Sequence, residues 1–518
     1  MKGVIINQDC TSPFSDVLKN GPCTVEQLRA VPHQYEGSQV TDYMICLCDG
    51  VACFPSKTWT STIDKYHQKI ENGQPVDYSN ERFPKSAHYV FEELGLDIFA
   101  MQIEEFKKIG INPWLSFRMN DCHSRHLERF WLHSDFYHEH PEFQRVKFHP
   151  EFIQTNTDRI FDYAYKEVRD YYLGLIDEAL ERYDPYGIEL DFMREIELFA
   201  IGREHEGIEI LNGFMHDVYA LLKKYEAIRG HELKLAVRVA PDVQINLDFG
   251  LDVIKWVQDG LIDMITLSAR FESNDTDMPI KLWKRILTPY NVQLVAGIDM
   301  GINPNIEWGY NVLYPNIETF AACAINAYSQ GADKVYFFNY FKTEVTSLLA
   351  KDTPFSTDPT AHYGAPGIHM TVHHKFGDPD EIMKLNRRHI ISIKDRLPQW
   401  KRSANFPVEN RAAYQVPYTF NRNGSFKITV GEIPEGAELT LRFAVEDGDA
   451  VRRDTPRVFV NSEPCEFIGI EKDERWSRSE NTLSYRIPKT GFGFDICPYI
   501  IVNSLTKVTY MDVLIKVK

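Results

Sequence analysis

The sequence lacks the patterns that mark membrane and secreted proteins. No apolar run approaches the length of a membrane-spanning helix. The first residues, MKGVIINQDC, do not show a charged segment followed by an apolar one. We therefore expect a cytoplasmic protein with no signal peptide and no membrane partner.

The sequence also lacks an excess of basic residues. It has 57 Lys and Arg against 74 Asp and Glu, which gives a formal net charge of −17. Binding to nucleic acids needs a basic surface that neutralises phosphates. We therefore expect no nucleic-acid partner, whereas a neutral polar substrate is compatible with this charge.

Cofactor-binding motifs are missing as well. The nine cysteines form no repeated CxxC pair, which argues against a zinc ribbon, and we expect reduced, mostly buried thiols. No GxGxxG follows the first predicted strand, no Walker-type phosphate loop occurs, and no HExxH is present. We expect a protein that needs no cofactor.

What the sequence does contain is an alternation of short apolar runs and longer helical patterns. Such an alternation is typical of βα units around a parallel sheet. The predicted strands are GVIIN (from Gly3), YMICLC (Tyr43), INPWLSFRM (Ile111), YGIELDF (Tyr186), KLAVRVA (Lys234), DMITLS (Asp263), VQLVAGI (Val292) and KVYFFN (Lys334). Eight such units predict an α/β protein with a (β/α)8 TIM barrel, and a doubly wound open sheet is the alternative. Between these strands, helices are predicted over 168–183, 210–228 and 319–331.

After about Gln399 the pattern changes to short alternating strands separated by Gly, Asn and Pro. The runs are SFKITVG, ELTLRFAVED, PRVFVN, TLSYRIP and TYMDVLIKVK. They are typical of a small antiparallel β-sandwich. We predict a catalytic barrel over residues 1–400 and an accessory sandwich over 401–518, with the boundary near Pro398–Phe406.

Two aspartates are the first candidates for catalysis. In TIM barrels the catalytic groups lie at the carboxyl ends of the strands, and alternation decides which side chains point inward. In YGIELDF and VQLVAGID this places Asp191 and Asp299 inward, at the end of their strands. Two carboxylates across a cavity can act as general acid, base or nucleophile.

Other charged and polar residues share this end of the predicted barrel. Glu195 and Glu272 are further catalytic candidates, although each can instead be an acidic residue in a loop or at the start of a helix. The inward candidates for binding sugar hydroxyls or orienting carboxylates are Arg118, Asn120, Arg238 and Asn339. In the eighth strand, alternation groups Val335 and Phe337 with Asn339 on the inward face. The alternative role of the charges is a structural ion-pair network, for instance Glu189 with Arg118 or Arg238.

A long connection from about Asp121 to Asn156 is rich in histidine and aromatic residues. It contains HSRHLERFWLHSDFYHEHPEF, from which we select His123 and Trp131 as substrate-binding candidates. Long loops inside compact barrels are usually functional. The spacing of the histidines also leaves open a metal-dependent hydrolase, but we predict no metal ligands.

Several segments resemble a broad family of bacterial glycosyl-hydrolase-like barrel proteins. These segments are WLSFRMNDCH, FYHEHPEF, VRDYYLGLIDEALERYDPYGIELDFMRE and GADKVYFFNYF, in that order. The resemblance covers most of residues 1–400 and implies a (β/α)8 barrel related to glycoside hydrolases, with a carbohydrate substrate. Chitinase-like barrels carry the motif DxxDxDxE at the fourth strand. In this sequence Met193 stands where the catalytic acid of that motif would fall, so that assignment does not carry over.

Together these observations predict a glycoside hydrolase with Asp191 and Asp299 as its carboxylate pair. Three alternatives remain: a non-catalytic carbohydrate-binding barrel, a metal-dependent hydrolase built on the histidine-rich loop, and a structural protein that binds partners through its C-terminal domain. The sequence leaves the oligomeric state open and is compatible with a homo-oligomer.

Overall fold

The computed structural model of the chain describes residues 2–72, 78–125, 127, 130–146, 156–270, 273–308, 312–340, 352–394, 414–488 and 493–518. These residues form a closed parallel barrel followed by antiparallel sheets. The predicted fold class is therefore confirmed.

Eight parallel strands close the barrel. They are β1 Val4–Gln8, β2 Val40–Cys48, β3 Asn112–Arg118, β4 Gly187–Asp191, β5 Lys234–Val239, β6 Met264–Leu267, β7 Gln293–Ile298 and β8 Lys334–Phe337. Each pairs with the next along the chain, and β1 also pairs with β8. This closure rules out the open doubly wound sheet, and every predicted barrel strand overlaps an observed one.

The C-terminal strands form three antiparallel sheets. The strands are β9 Arg387–Ile390, β10 Tyr418–Phe420, β11 Asn423–Ser425, β12 Ile428–Thr429, β13 Glu438–Val445, β14 Arg457–Val460, β15 Glu463–Pro464, β16 Glu466–Asp473, β17 Ser479–Ile487, β18 Asp495–Ile496, β19 Pro498–Ile501 and β20 Thr506–Lys516. The larger sheet has the order β10-β20-β13-β17-β16, with β9 also paired to β20; a second has the order β11-β19-β14-β15, and β12 pairs with β18. The predicted domain boundary falls within residues 395–413, outside the described residues, and stays a prediction.

Helices lie between the strands along the chain. They are α1 Val25–His33, α2 Thr62–Glu71, α3 Tyr78–His88, α4 Ile98–Lys108, α5 Asp135–Glu139, α6 Lys166–Arg182, α7 Glu204–Arg229, α8 Val243–Asp248, α9 Val253–Gln258, α10 Ile280–Leu287, α11 Ile317–Gln330, α12 Pro366–Lys375, α13 Pro379–Ile382 and, between β13 and β14, α14 Gly448–Arg453. The three predicted helices lie in α6, α7 and α11. Helix α11 begins at a reciprocal cap between Asn316 and Thr319 and ends at Gly331, whose φ of 107° is accessible to glycine. Within the described residues, none of these helices combines the length and apolar character needed to cross a bilayer.

The C-terminal sheets pack on two loops at the carboxyl end of the barrel. After β6, the Thr276 hydroxyl donates to the Ile390 carbonyl at 2.6 Å. After β7, the Asn305 amide donates to the Thr509 carbonyl at 2.8 Å. A shared apolar cluster fills the contact, formed by Ile302, Leu313, Ile390, Ala444, Trp476 and Tyr510. The C-terminal sheets thus fix the loops that follow β6 and β7.

Alternate strand residues fill the barrel interior. Its apolar cluster consists of Ile5, Met44, Trp114, Ala236, Met264, Val295, Tyr336 and Phe338. The prediction for the eighth strand was therefore wrong, because Tyr336 and Phe338 belong to the interior, whereas Val335 and Phe337 pack in the outer core. The run KVYFFN is apolar at both parities, so alternation could not separate its two faces. Asn339 adopts a φ of 48°, which ends the alternation.

The nine cysteines are all free, and six of them are buried. The Cys10 thiol donates to an Asp49 oxygen at 2.9 Å. The prediction of reduced, mostly buried thiols is confirmed.

A buried ion pair closes the amino end of the barrel. Asp42 on β2 pairs with Lys334 on β8, and both residues are buried. The Trp114 indole and the Asn112 amide donate to the same Asp42 oxygen at 2.9 and 3.1 Å. Burial opposes ionisation, but the Lys334 ammonium and the hydrogen bonds hold the pKa of Asp42 below its usual value.

We expect Asp42→Asn to destabilise the protein by about 3–5 kcal/mol, because it leaves the buried Lys334 ammonium without a counter-charge. Denaturant unfolding of the full chain measures this change. Asp184→Asn is the matched control, because Asp184 pairs with Lys107 at the half-exposed surface, where ion pairs contribute little. Equal losses in the two variants would contradict the role of the buried pair.

Candidate functional site

Charged side chains crowd the carboxyl end of the barrel, which we call the mouth. Among the described residues, the charged and amide side chains at the mouth include Asn7, Asp9, Asp49, Arg118, Asp121, Asp191, Arg194, Arg238, Arg270, Asp299 and Asn339. All of them except Asp9 are buried. Buried charges need partners, since an isolated one costs several kcal/mol, so the pairing decides what each group can do.

Asp191, at the end of β4, is bound on both oxygens by Arg238 of β5. The two residues are neighbours in the strand register, with Nε to Oδ1 at 2.8 Å and Nη2 to Oδ2 at 2.9 Å. The backbone N–H groups of Met193 and Arg194 also donate to Oδ1, at 3.0 and 3.1 Å. The Arg238 guanidinium lies 3.7 Å from the centre of the Phe338 ring. Asp191 is therefore a carboxylate held by four donors.

Glu189 lies one inward position deeper on the same strand. The Ser116 and Tyr336 hydroxyls donate to its Oε1 at 2.7 and 3.0 Å. Its Oε2 has no hydrogen-bond partner among the described residues. Burial, and next the negative charge of Asp191, raise the pKa of Glu189 to about 7. At neutral pH this carboxyl group can thus hold a proton directly below the mouth.

The raised pKa of Glu189 predicts how stability depends on pH. The folded state holds the Glu189 proton more tightly than the unfolded chain does. The stabilisation that this proton provides is complete below about pH 4.5 and is lost as pH rises through about 7. Glutamine does not titrate and therefore does not lose this contribution. The free energy of unfolding of Glu189→Gln, relative to that of wild type, should rise by about 3 kcal/mol across this pH interval.

Denaturant unfolding at several pH values measures this difference. Glu178→Gln is the control, because the pKa of Glu178 is shifted in the opposite direction to that of Glu189. Although Glu178 is mostly buried, hydrogen bonds from Ser56 and Thr58 lower its pKa, so its contribution is lost as pH falls. A pH-independent difference between Glu189→Gln and wild type would contradict the assigned proton.

Arg118, at the end of β3, joins two carboxylates that directly follow β1 and β2. One Nη binds Asp49, and the other lies 3.2 Å from Asp9 Oδ2 and 3.4 Å from Asn339 Oδ1. Burial would raise the pKa of Asp9, but the Arg118 charge and the Thr11 N–H hold it below its usual value. The Asp9 side chain is 17% exposed, which makes it the most accessible of these carboxylates.

His123 begins the histidine-rich loop and lies at the rim of the mouth. Its Nδ1 is 2.5 Å from Asp121 Oδ1, and Arg194 Nη2 is 2.7 Å from its Nε2. Burial opposes ionisation of Asp121, but His123 and Arg125 hold the pKa of this carboxyl group well below its usual value. The His123 side chain is 34% exposed. His123 and Asp9 therefore offer polar groups that a ligand can reach.

Glu195 and Glu197 are both bound by Arg270, and the Cys122 thiol donates to Glu195. Glu195 is fully buried. The structure thus places this catalytic candidate inside an ion-pair cluster. Glu272 lies outside the described residues, and its role stays a prediction.

Asp299, directly after β7, is held through its backbone by Asn274. The Asn274 amide donates to the carbonyls of Asp299 and Gly301 at 2.8 and 2.6 Å, and its oxygen accepts the Asp299 N–H at 2.8 Å. Asp299 Oδ1 also accepts the Met300 N–H at 2.5 Å. Asn274 precedes Thr276, which is bonded to the C-terminal sheets. The position of Asp299 is therefore linked to that domain.

Asn120 and Trp131 have local structural contacts. The Asn120 amide donates to the Phe161 carbonyl at 2.9 Å and accepts the Phe161 N–H at 3.3 Å, which anchors the long loop. The half-buried Trp131 ring lies near the rings of Phe83 and Phe130, at centroid distances of 6.0 and 5.9 Å. Their predicted contact with a substrate stays a prediction.

A cavity of about 570 Å³ lies at the same end of the barrel. It is lined by Arg145, Val146, Asp162, Ala164, Tyr165, Ala200, Ile201 and Arg203. These residues belong to the loops that follow β3 and β4. A volume of this size matches a small-molecule site, and its lining offers both charge and an aromatic ring.

Two groups at the mouth bring metal-ligating side chains together. They are Asp9 with Cys10 and Asp49, and Asp49 with Asp121 and His123, and in each group the ligand atoms lie within 4.8 Å of one another. Arg118 already binds Asp49, and Arg194 lies at the His123 Nε2. These guanidinium groups place positive charge where a cation would bind. The geometry therefore gives little support to a metal-dependent hydrolase at the mouth.

Asp9, Asp49, Asp121 and Arg194 were not among the residues predicted for the site. A signal was present for the first two, since each directly follows an apolar strand, in GVIINQD and YMICLCD. The partners of Arg118 and Arg194 lie on distant segments, so spacing along the chain could not reveal them.

No protein-family model matches the sequence, and no curated protein matches it. Among solved structures, the glycoside hydrolase domain of PgaB from Bordetella bronchiseptica is 9% identical with a TM-score of 0.39, over 65% of this chain and 94% of that chain. Alpha-L-fucosidase isoenzyme 1 from Paenibacillus thiaminolyticus is 10% identical with a TM-score of 0.33, over 96% of both chains. The GH36 alpha-galactosidase AgaA from Geobacillus stearothermophilus, in complex with stachyose, is 11% identical with a TM-score of 0.37, over 97% of this chain and 55% of that chain.

These similar structures are a glycoside hydrolase domain, a fucosidase and an alpha-galactosidase. Likeness at such low identity and TM-score carries no argument about substrate or catalytic residues. The strand pairing of this chain establishes the barrel fold, and the residues at the mouth are the basis for proposing a function.

Proposed function

We propose that the protein is a glycoside hydrolase that cleaves an oligosaccharide or glycoconjugate at the mouth of the barrel. The observation that carries this proposal is the fixed carboxylate of Asp191, held by Arg238 and two backbone N–H groups at the end of β4. Hydrolysis of a glycosidic bond passes through a positively charged sugar, which an oriented carboxylate stabilises.

A glycosidase of this type needs a second carboxyl group. Asp299 follows β7, which is three strands from β4 in the barrel order, and Asn274 fixes its backbone. In the proposed reaction, one group protonates the leaving oxygen and the other stabilises or attacks the sugar carbon. Water completes the cleavage, so the reaction needs no oxidant and no cofactor.

Substrate binding is assigned to the accessible groups around this pair. Asp9 and His123 can exchange hydrogen bonds with sugar hydroxyl groups, and each is oriented by an arginine. Arg118 and Arg238 contact carboxylates and therefore orient them. The half-buried Trp131 supplies the aromatic surface on which sugar rings commonly pack.

Removal of either proposed catalytic charge tests this assignment. Asp191→Asn and Asp299→Asn should each lower kcat by about a hundredfold to ten-thousandfold on a glycoside that the wild type cleaves, because shape is kept and charge is lost. Asp9→Asn should mainly raise KM. Release of reducing sugar from an oligosaccharide panel provides the measurement.

Asp184→Asn, on the outer surface, is the matched control and should retain wild-type kinetics. Circular dichroism and the unfolding midpoint establish that the variants are folded. Wild-type turnover in folded Asp191→Asn would exclude Asp191 as a catalytic residue.

A second candidate is a carbohydrate-binding barrel without catalysis. It is favoured by the burial of Asp191 and Glu195, each bound by an arginine. Calorimetric titration with the same oligosaccharides separates the two functions. Binding without hydrolysis, weakened by Asp9→Asn, would support the binding protein, whereas turnover supports the hydrolase.

A further inference from the structure

Two histidines and a glutamate converge on α2 and the end of α3, and none of them belongs to the charged residues of the mouth. His67 lies on α2, and His88 is the last residue of α3, which continues as one π-helical turn over Tyr89–Glu93. Glu92 belongs to that turn, four residues after His88. Residues with this spacing share one face of a helix, and the packing of α2 on α3 brings His67 to the same face.

The potential ligand atoms of the three side chains already lie close together. Glu92 Oε2 lies 3.0 Å from His67 Nε2 and 3.1 Å from His88 Nε2. In a tetrahedral zinc site with bonds of about 2.0–2.1 Å, neighbouring ligand atoms lie about 3.3 Å apart. All three ligand atoms lie within 4.8 Å of one another. Bonding to an ion at the centre thus requires only small movements of the side chains.

Neighbouring groups orient these ligands. His88 Nδ1 lies 3.4 Å from Glu93 Oε1, and metal-bound histidines commonly present their second nitrogen to such a carboxylate. The Tyr66 ring lies 4.5 Å from the His88 ring and restricts its rotation. The π-helical turn is anchored by buried Val90 and by the Tyr89 hydroxyl, which donates to the Cys23 carbonyl at 3.0 Å.

Charge and exposure fit a divalent ion. Two carboxylates, Glu92 and Glu93, face two imidazoles, so a doubly charged cation balances the cluster. The side chains of His67 and Glu92 are each 42% exposed, which gives an ion access and leaves room for a bound water. Two imidazoles and one carboxylate are a ligand set that suits zinc.

We propose that His67, His88 and Glu92 bind one zinc ion, with water as the fourth ligand, and that this ion links α2 to the end of α3. None of its three ligands belongs to the residues assigned to the proposed hydrolysis, so the ion has no role in that reaction. Because it binds the folded state, it should stabilise the protein.

The test uses the full chain after chelator treatment and dialysis, titrated with zinc chloride in a calorimeter. Wild type should bind one zinc per chain, and its unfolding midpoint should rise with zinc concentration. His67→Ala and His88→Ala should lose this binding and the rise in midpoint. His216→Ala is the matched control, because His216 forms an exposed pair with Asp259 at 3.2 Å on another helix, and it should behave as wild type.

The His123→Ala variant distinguishes this site from the groups at the mouth. Loss of zinc binding in His123→Ala, with binding retained in His67→Ala, would overturn the proposal and place the ion at the mouth. Absence of binding to wild type, or equal binding to wild type and the double variant His67→Ala/His88→Ala, would also overturn it. Anomalous diffraction at the zinc edge would locate the bound ion directly.

Discussion

The side chains inside the barrel are buried, so every charge among them needs a partner within the protein. Eight strands, each paired with its neighbours, close the wall around these side chains. The interior accordingly contains polar layers: Asp42 with Lys334 at the amino end, Glu189 with two hydroxyl donors in the middle, and Asp191 with Arg238 at the mouth. Each layer places its partners on different strands, so the chemistry of the site depends on strand register.

This pairing gives the mouth its chemical character. Arginines fix the planes of the carboxylates before any ligand arrives, which lowers the cost of reorganisation when charge develops. The accessible groups, Asp9 and His123, lie outside the innermost pair. A substrate would therefore meet hydrogen-bonding groups first and the fixed carboxylate behind them. This order suits a polyhydroxylated ligand better than a charged one.

Much of the fold could be predicted from sequence because the strand signal is local. Runs such as YGIELDF alternate clearly, and Asp191 faces inward as its parity requires. The run KVYFFN has apolar residues at both parities, so its inward face was assigned wrongly. Pairing was harder to predict: the structural alternative paired Glu189 with Arg118 or Arg238, whereas the register brings Arg238 to Asp191. Whether the predicted site residues act in catalysis depends on a ligand and stays a prediction.

The pairing of β9 with β20 imposes an order on folding during synthesis. The barrel strands can close as soon as β8 has emerged from the ribosome, because its partners β1 and β7 come earlier in the chain. Strand β9 must wait for β20, which emerges after β10 to β19. Until then, the nascent chain exposes the apolar contact around Ile302 and Leu313 on a barrel that is already closed. The apolar surface of these loops is therefore covered only after the last strand has been made, and until then it can associate with other chains.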